Sequence, residues 1–131
     1  MTVLPGAAPE AVHRLVDALG GEGRLEQESG AGPFSVWLLR LDRVVLEVRR
    51  EYHSWALFLR SDVSGVSPIS FWRVAVAGGI SPVDPELEAD AAFLIAHAVD
   101  VSNPAADLEE RVGALRVEYE AAMRRRYGSD E

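Results

Sequence analysis

The stretch FSVWLLRLDRVVLEVRREYHSWALFLR, residues 34–60, governs how the rest of the chain is read. Strand-forming residues dominate it, in three runs separated by short polar breaks. In the first run, 34–41, alternation places Phe34, Val36 and Leu38 on one side and Trp37, Leu39 and Leu41 on the other. The second run, 44–50, alternates more cleanly, with Val44, Leu46 and Val48 facing inward and Glu47 and Arg49 outward. The third run, 55–60, sets Trp55, Leu57 and Leu59 on one side. The breaks at Asp42-Arg43 and at 51–54 are long enough only for turns, so the three runs read as an antiparallel meander.

Working outward, residues 61–70 (SDVSGVSPIS) read as a polar loop, and 71–76 (FWRVAV) return to strand character before Gly78-Gly79. On the other side, residues 24–28 read as a short edge strand with Leu25 as its apolar residue, followed by a turn at 29–33. A sheet of four or five strands needs cover on its apolar face, and helices are the available cover. The first helix spans 9–19: Pro9 suits its first position, and Val12, Leu15, Val16 and Leu19 form a stripe that Gly20-Gly21 ends. A second helix is expected from Asp84 as cap with Pro85 at its first position, ending before Ser102-Asn103-Pro104, with Leu87, Ala91, Leu94, Ile95 and Ala98 on its stripe. A third is expected after the cap Asn103 and Pro104, with Leu108, Val112, Leu115, Tyr119 and Ala122 aligned and Arg124, Arg125 and Arg126 at its negative end. Residues 129–131 read as a frayed end. No repeat or linker divides the chain. The reading is a single α+β domain over 1–131: N-terminal helix, antiparallel four- to five-stranded meander, and two C-terminal helices packed on the sheet.

Composition narrows the function. A chain of 131 residues with 48% apolar content can build one core. Its apolar runs are too short to span a membrane, and its first residues lack a positive segment followed by an apolar stretch, so no secretory signal is expected. The absence of cysteine removes disulfide, thiol and thiolate-metal chemistry and fits a reducing cytoplasm, the expected location. The net charge of −8 is uneven. Residues 1–83 hold nine acidic and eight basic side chains, and residues 84–131 hold twelve and five. Such a field repels nucleic acid and anionic membranes and attracts basic partners.

No motif carries chemistry. His13, His53 and His97 lie in different elements and neither HExxH nor a cysteine pair occurs, so neither metal nor cofactor is expected; His97 and Asp100 are spaced for a hydrogen bond on a helix. No GxSxG elbow exists, and Ser64-Gly65 and Ser67-Pro68 look like turn residues. The glycines at 20, 21 and 23 follow a helix rather than a strand, those at 30 and 32 lie between strands, and the chain has no lysine for a phosphate loop. Glu86, Glu88 and Asp90, and Glu109 and Glu110, read as solvated acids near helix starts. Arginines interleaved with Trp37, Tyr52, Trp55 and Trp72 give a local case for single-stranded nucleic acid, against which stand the net charge and the absence of an RNA-binding motif.

Tryptophan, tyrosine and arginine are also the residues of protein-binding hot spots. The candidate protein-binding residues are therefore Arg49, Arg60 and Arg73 on the outward sheet face, with Trp72 beside them, and Glu86, Asp90, Glu109 and Glu110 on the acidic helices. In helix–meander–helix layout, size and acidity the chain resembles the immunity proteins of bacterial toxin systems, and it looks like the small acidic chaperones of secretion systems. The likeness spans most of the chain, rests on no signature motif and carries over no residues. It implies a cytoplasmic protein that masks a basic cognate toxin or enzyme, or escorts a client. The alternative is a small-molecule-binding domain or enzyme with a pocket between sheet and helices. A homodimer through the edge strand at 24–28 is compatible with either.

Overall fold

The three central runs pair as their alternation requires. Strand β2 (Phe34–Leu41) lies antiparallel to β3 (Val44–Glu51), and β3 to β4 (Ser54–Ser61). The register sets Val48 between Trp37 and Leu57, and Leu46 between Leu39 and Leu59, and all six are buried. The reverse face carries Glu47 between Leu38 and Phe58, and Arg49 between Val36 and Ala56. Both connections are two-residue turns whose first residue has a positive φ, Asp42 at 62° and Tyr52 at 59°. Aspartate tolerates that conformation, whereas an aromatic side chain rarely takes it.

The computed structural model describes residues 4–21, 24–31, 34–79 and 83–127, with only the backbone of 29–31. Strand β1 (Glu26–Ala31) flanks β2 and β5 (Gly65–Pro68) flanks β4, giving a five-stranded antiparallel sheet in chain order, β1-β2-β3-β4-β5. The edge strand thus lies two residues later than its polar sequence suggested, with an irregular register between Gln27 and Ser29. The expected fraying of 129–131 falls outside the described residues.

The fifth strand is not the one expected. Residues 71–76 belong to helix α2 (Ile69–Ala77), and the strand comes from the supposed loop. Phenylalanine, tryptophan and valine favour strands, but Ile69, Trp72 and Ala75 recur every three residues and are all fully buried on one side of a helix. Pro68 begins that helix, where its missing N–H costs nothing. Gly78 closes it at φ 85°: its N–H donates to the Ala75 carbonyl and that of Gly79 to Val74, a paired C-terminal cap that needs the left-handed conformation.

The helices cover the Leu46 face. Helix α1 (Glu10–Leu19) buries Val12, Leu15 and Val16 as its stripe requires and packs on α3 (Leu87–Ala96), while α2 packs on α5 (Ala106–Tyr127). Helix α3 begins three residues after Asp84. Glu86 is extended, so neither Asp84 nor Pro85 takes its expected place at the cap and first position. The helix expected to continue up to the residue before Ser102 breaks at His97, with α4 (Ala98–Ser102) beyond it. Two helices thus become three after α2. The Arg43 N–H, in the β2–β3 turn, donates to the Ser102 carbonyl at 2.9 Å and fixes the end of α4 to the sheet. Helix α5 starts at Ala106, so Asn103 and Pro104 do not take their expected places at the cap and first position; Pro104 is buried just ahead of it. No helix among the described residues is long and apolar enough to cross a membrane.

Candidate functional site: the outer face of the sheet

With the helices on one face, even-numbered positions of β2 and odd-numbered positions of β3 form the other. At its centre is Glu47, a carboxylate only 1% exposed. A lone carboxylate there would be costly to desolvate, and this one is fully engaged. Arg49 donates to Oε1 through Nε at 3.0 Å and Nη2 at 2.8 Å, and Arg60 donates to Oε2 through Nε at 2.6 Å. Arg49 is two residues from Glu47 on the same strand and so shares its face, and β3–β4 pairing brings Arg60 alongside.

The arginines are anchored beyond Glu47. The Arg49 guanidinium lies 3.9 Å over the centre of the Phe58 ring. Arg60 extends across the sheet to Glu28 on β1, 3.4 Å away. Its bond to Glu47 raises the guanidinium pKa further above its already high value, so it remains charged. Glu28, Arg60, Glu47 and Arg49 thus form a strap of alternating charge ending on an aromatic ring. Each of the two arginine side chains keeps about two-fifths of its surface exposed.

One end of this face is aromatic. Phe34 and Tyr52 meet edge-to-face at 4.9 Å and stay 49% and 60% exposed. The other end carries Arg24 and Arg40 beside Glu26, around a cleft of about 90 Å³. The β1 edge beside it has acidic Glu26 and Glu28 and a register irregularity, features that oppose addition of another strand.

The sequence-selected residues divide sharply. Arg49 and Arg60 come together around Glu47. Trp72 does not join them: it is in α2, 0% exposed, inside the core. Arg73 is also on α2 and pairs with Asp90 of α3 at 2.7 Å. Asp90 is buried rather than solvated, and that burial raises its pKa more than the Arg73 charge and hydrogen bond lower it. Glu109 is buried too, accepting a hydrogen bond from the Ser61 hydroxyl with Arg43 at 4.0 Å. Glu86 and Glu110 alone of the chosen acids are exposed. The sequence reading named Tyr52 among the interleaved aromatics but missed Glu28, Phe34 and Phe58 as members of the same surface, and the burial of Glu47. The alternation in β2 and β3 already put Phe34 on the face of Glu47 once the hairpin register is drawn.

A carboxylate with both oxygens held by guanidinium groups is poorly placed to take a proton from a substrate, so this arrangement is suited to recognition rather than proton transfer. Among the described residues no three metal-ligating side chains stand together. His97 packs its ring on Phe93 at 4.9 Å, and His53 is exposed in the β3–β4 turn. Trp37 and Trp55 stack on each other at 5.5 Å on the helix-covered side, so they share no face with Arg49 and Arg60. Comparison with models of known families, with curated proteins and with solved structures finds no match to this chain.

Proposed function

We propose that this chain is a non-catalytic protein-binding domain whose outer sheet face is the docking platform. The observation that carries this reading is the exposed Phe34–Tyr52 pair beside the arginines fixed by Glu47. Aromatic rings and arginine supply most binding energy at interfaces, and side chains held in place before contact lose little freedom on docking. Tyr52 adds weight, because a large side chain stands at φ 59° in a turn where asparagine or glycine would be less strained. The net charge of −8 favours a partner with a basic surface and speeds its approach. An inhibitor of the immunity type, acting in the cytoplasm on a basic toxin or enzyme, fits these features, and escort of a client protein is the second form of the same reading.

The test is affinity capture from a lysate of the source organism at low and moderate salt, with the unaltered chain and with Phe34→Ser/Tyr52→Ser. A stoichiometric basic protein is expected on the unaltered chain, reduced at higher salt and absent from the variant. Identical proteins on both baits would reject the platform.

A further inference from the structure

On another side of the molecule, β4, β5, α2, the segment 83–85 ahead of α3 and the C-terminal half of α5 line a groove of about 410 Å³. Its walls are largely apolar, with Phe71 and Tyr119 in ring contact at 5.5 Å and Val66 and Pro68 from β5. One cation lines it, Arg116, which makes neither a hydrogen bond nor an ion pair among the described residues, and whose Nε is buried. Ser70 also lines the groove and is fully buried, with its hydroxyl unpartnered. Buried donors such as the Ser70 hydroxyl and the Arg116 Nε–H are normally satisfied. Arg116 lies against Gly65, which has φ 73°, and a Cβ there would lie 2.7 Å from Nη1.

We infer that this groove binds a small monocarboxylate with an apolar body, its carboxylate on Arg116 and its body against Phe71, Tyr119 and Val66. The planar guanidinium matches a carboxylate in fork geometry. Two acids, Asp84 and Glu120, also line the groove, and their charge opposes a phosphate dianion more strongly than a monocarboxylate. The volume is near the small end of ligand pockets, roughly 300–1,000 Å³, and suits a free acid of modest length. This site shares only Phe58 with the docking platform.

The test is calorimetric titration of the full chain with octanoate, octan-1-ol and octylamine, with amide chemical-shift mapping. Octanoate is expected to bind one-to-one with Kd below about 1 mM. The alcohol should bind about tenfold more weakly and the amine more weakly still. Arg116→Met, which keeps the apolar stem, should weaken octanoate by about tenfold. Glu120→Gln, at an exposed position, should leave the fold intact and tighten octanoate. Equal binding of acid and alcohol, no loss with Arg116→Met or no gain with Glu120→Gln would overturn the assignment, as would shifts centred on Arg49 and Phe34 rather than on Phe71 and Tyr119.

Discussion

Arg60 on β4 reaches Glu47 on β3, thirteen residues away in sequence, with Nε 2.6 Å from Oε2, and so closes a charged strap over the open face of the sheet. Removing the carboxylate leaves two guanidinium groups facing each other. Because both are partly exposed, water relieves some of that cost, which places it below the roughly 3–5 kcal/mol typical of a broken buried pair. Glu47→Ala is expected to destabilise by about 2 kcal/mol in urea unfolding. A change within the roughly 0.5 kcal/mol of ordinary surface substitutions would show that the strap contributes nothing to stability.

Tyr52 presents opposing effects of similar size. Left-handed backbone costs a bulky residue about 1–2 kcal/mol, and the edge-to-face contact with Phe34 returns about 0.5–1.5 kcal/mol. Tyr52→Asn should therefore change stability by under about 0.5 kcal/mol in thermal or urea unfolding. The same substitution should abolish partner capture. A large gain in stability would mean that the Phe34 contact is weak.

The buried Asp90 has a definite pH signature. Its pKa is raised in the folded chain, mainly by burial, so the folded state holds this proton more tightly than the unfolded state. That contribution is fully present below the unfolded pKa of about 4 and is lost as pH rises through the folded pKa. Relative to Asp90→Asn, the unaltered chain should gain stability as pH falls through the window just above 4. Denaturant unfolding of both proteins from about pH 7 down to pH 4 reads the difference. A constant difference would mean that Arg73 cancels the burial.

Trp72 separates a core role from a surface one. Trp72→Ala should cost about 3–5 kcal/mol by opening a cavity at the base of α2. An interface tryptophan would leave unfolding nearly unchanged and alter only partner binding.

Local pattern carried the reading of this fold wherever the period was clean. Val44, Leu46 and Val48 alternate without interruption, and their strand and face follow directly. At 69–77 strand-forming side chains masked a helical spacing, because packing of Ile69, Trp72 and Ala75 into the core outweighs intrinsic preference. Strand β5 offers four residues with one branched apolar side chain, Val66, so its pairing partner β4 defines it more than its composition does. The surface was half legible. Arg49 and Arg60 fall on the outward face by alternation alone, whereas the burial of Glu47 depends on a register joining two strands. Asp90 and Glu109 look like solvated helix acids because their partners, Arg73 and Ser61, come from distant parts of the chain.

The sheet order follows the order of synthesis. Each strand can pair with its predecessor as it emerges, and the meander is complete at Pro68. Apart from α1, the helices that cover its apolar face lie beyond Pro68 and extend to Tyr127, still to be made. At about 5–20 residues per second the uncovered sheet persists for roughly 3–12 s. During that interval Leu46, Leu57 and Leu59 are available to other nascent chains, so yield in the cell should respond to elongation rate over residues 69–127, even for variants that leave the final stability untouched.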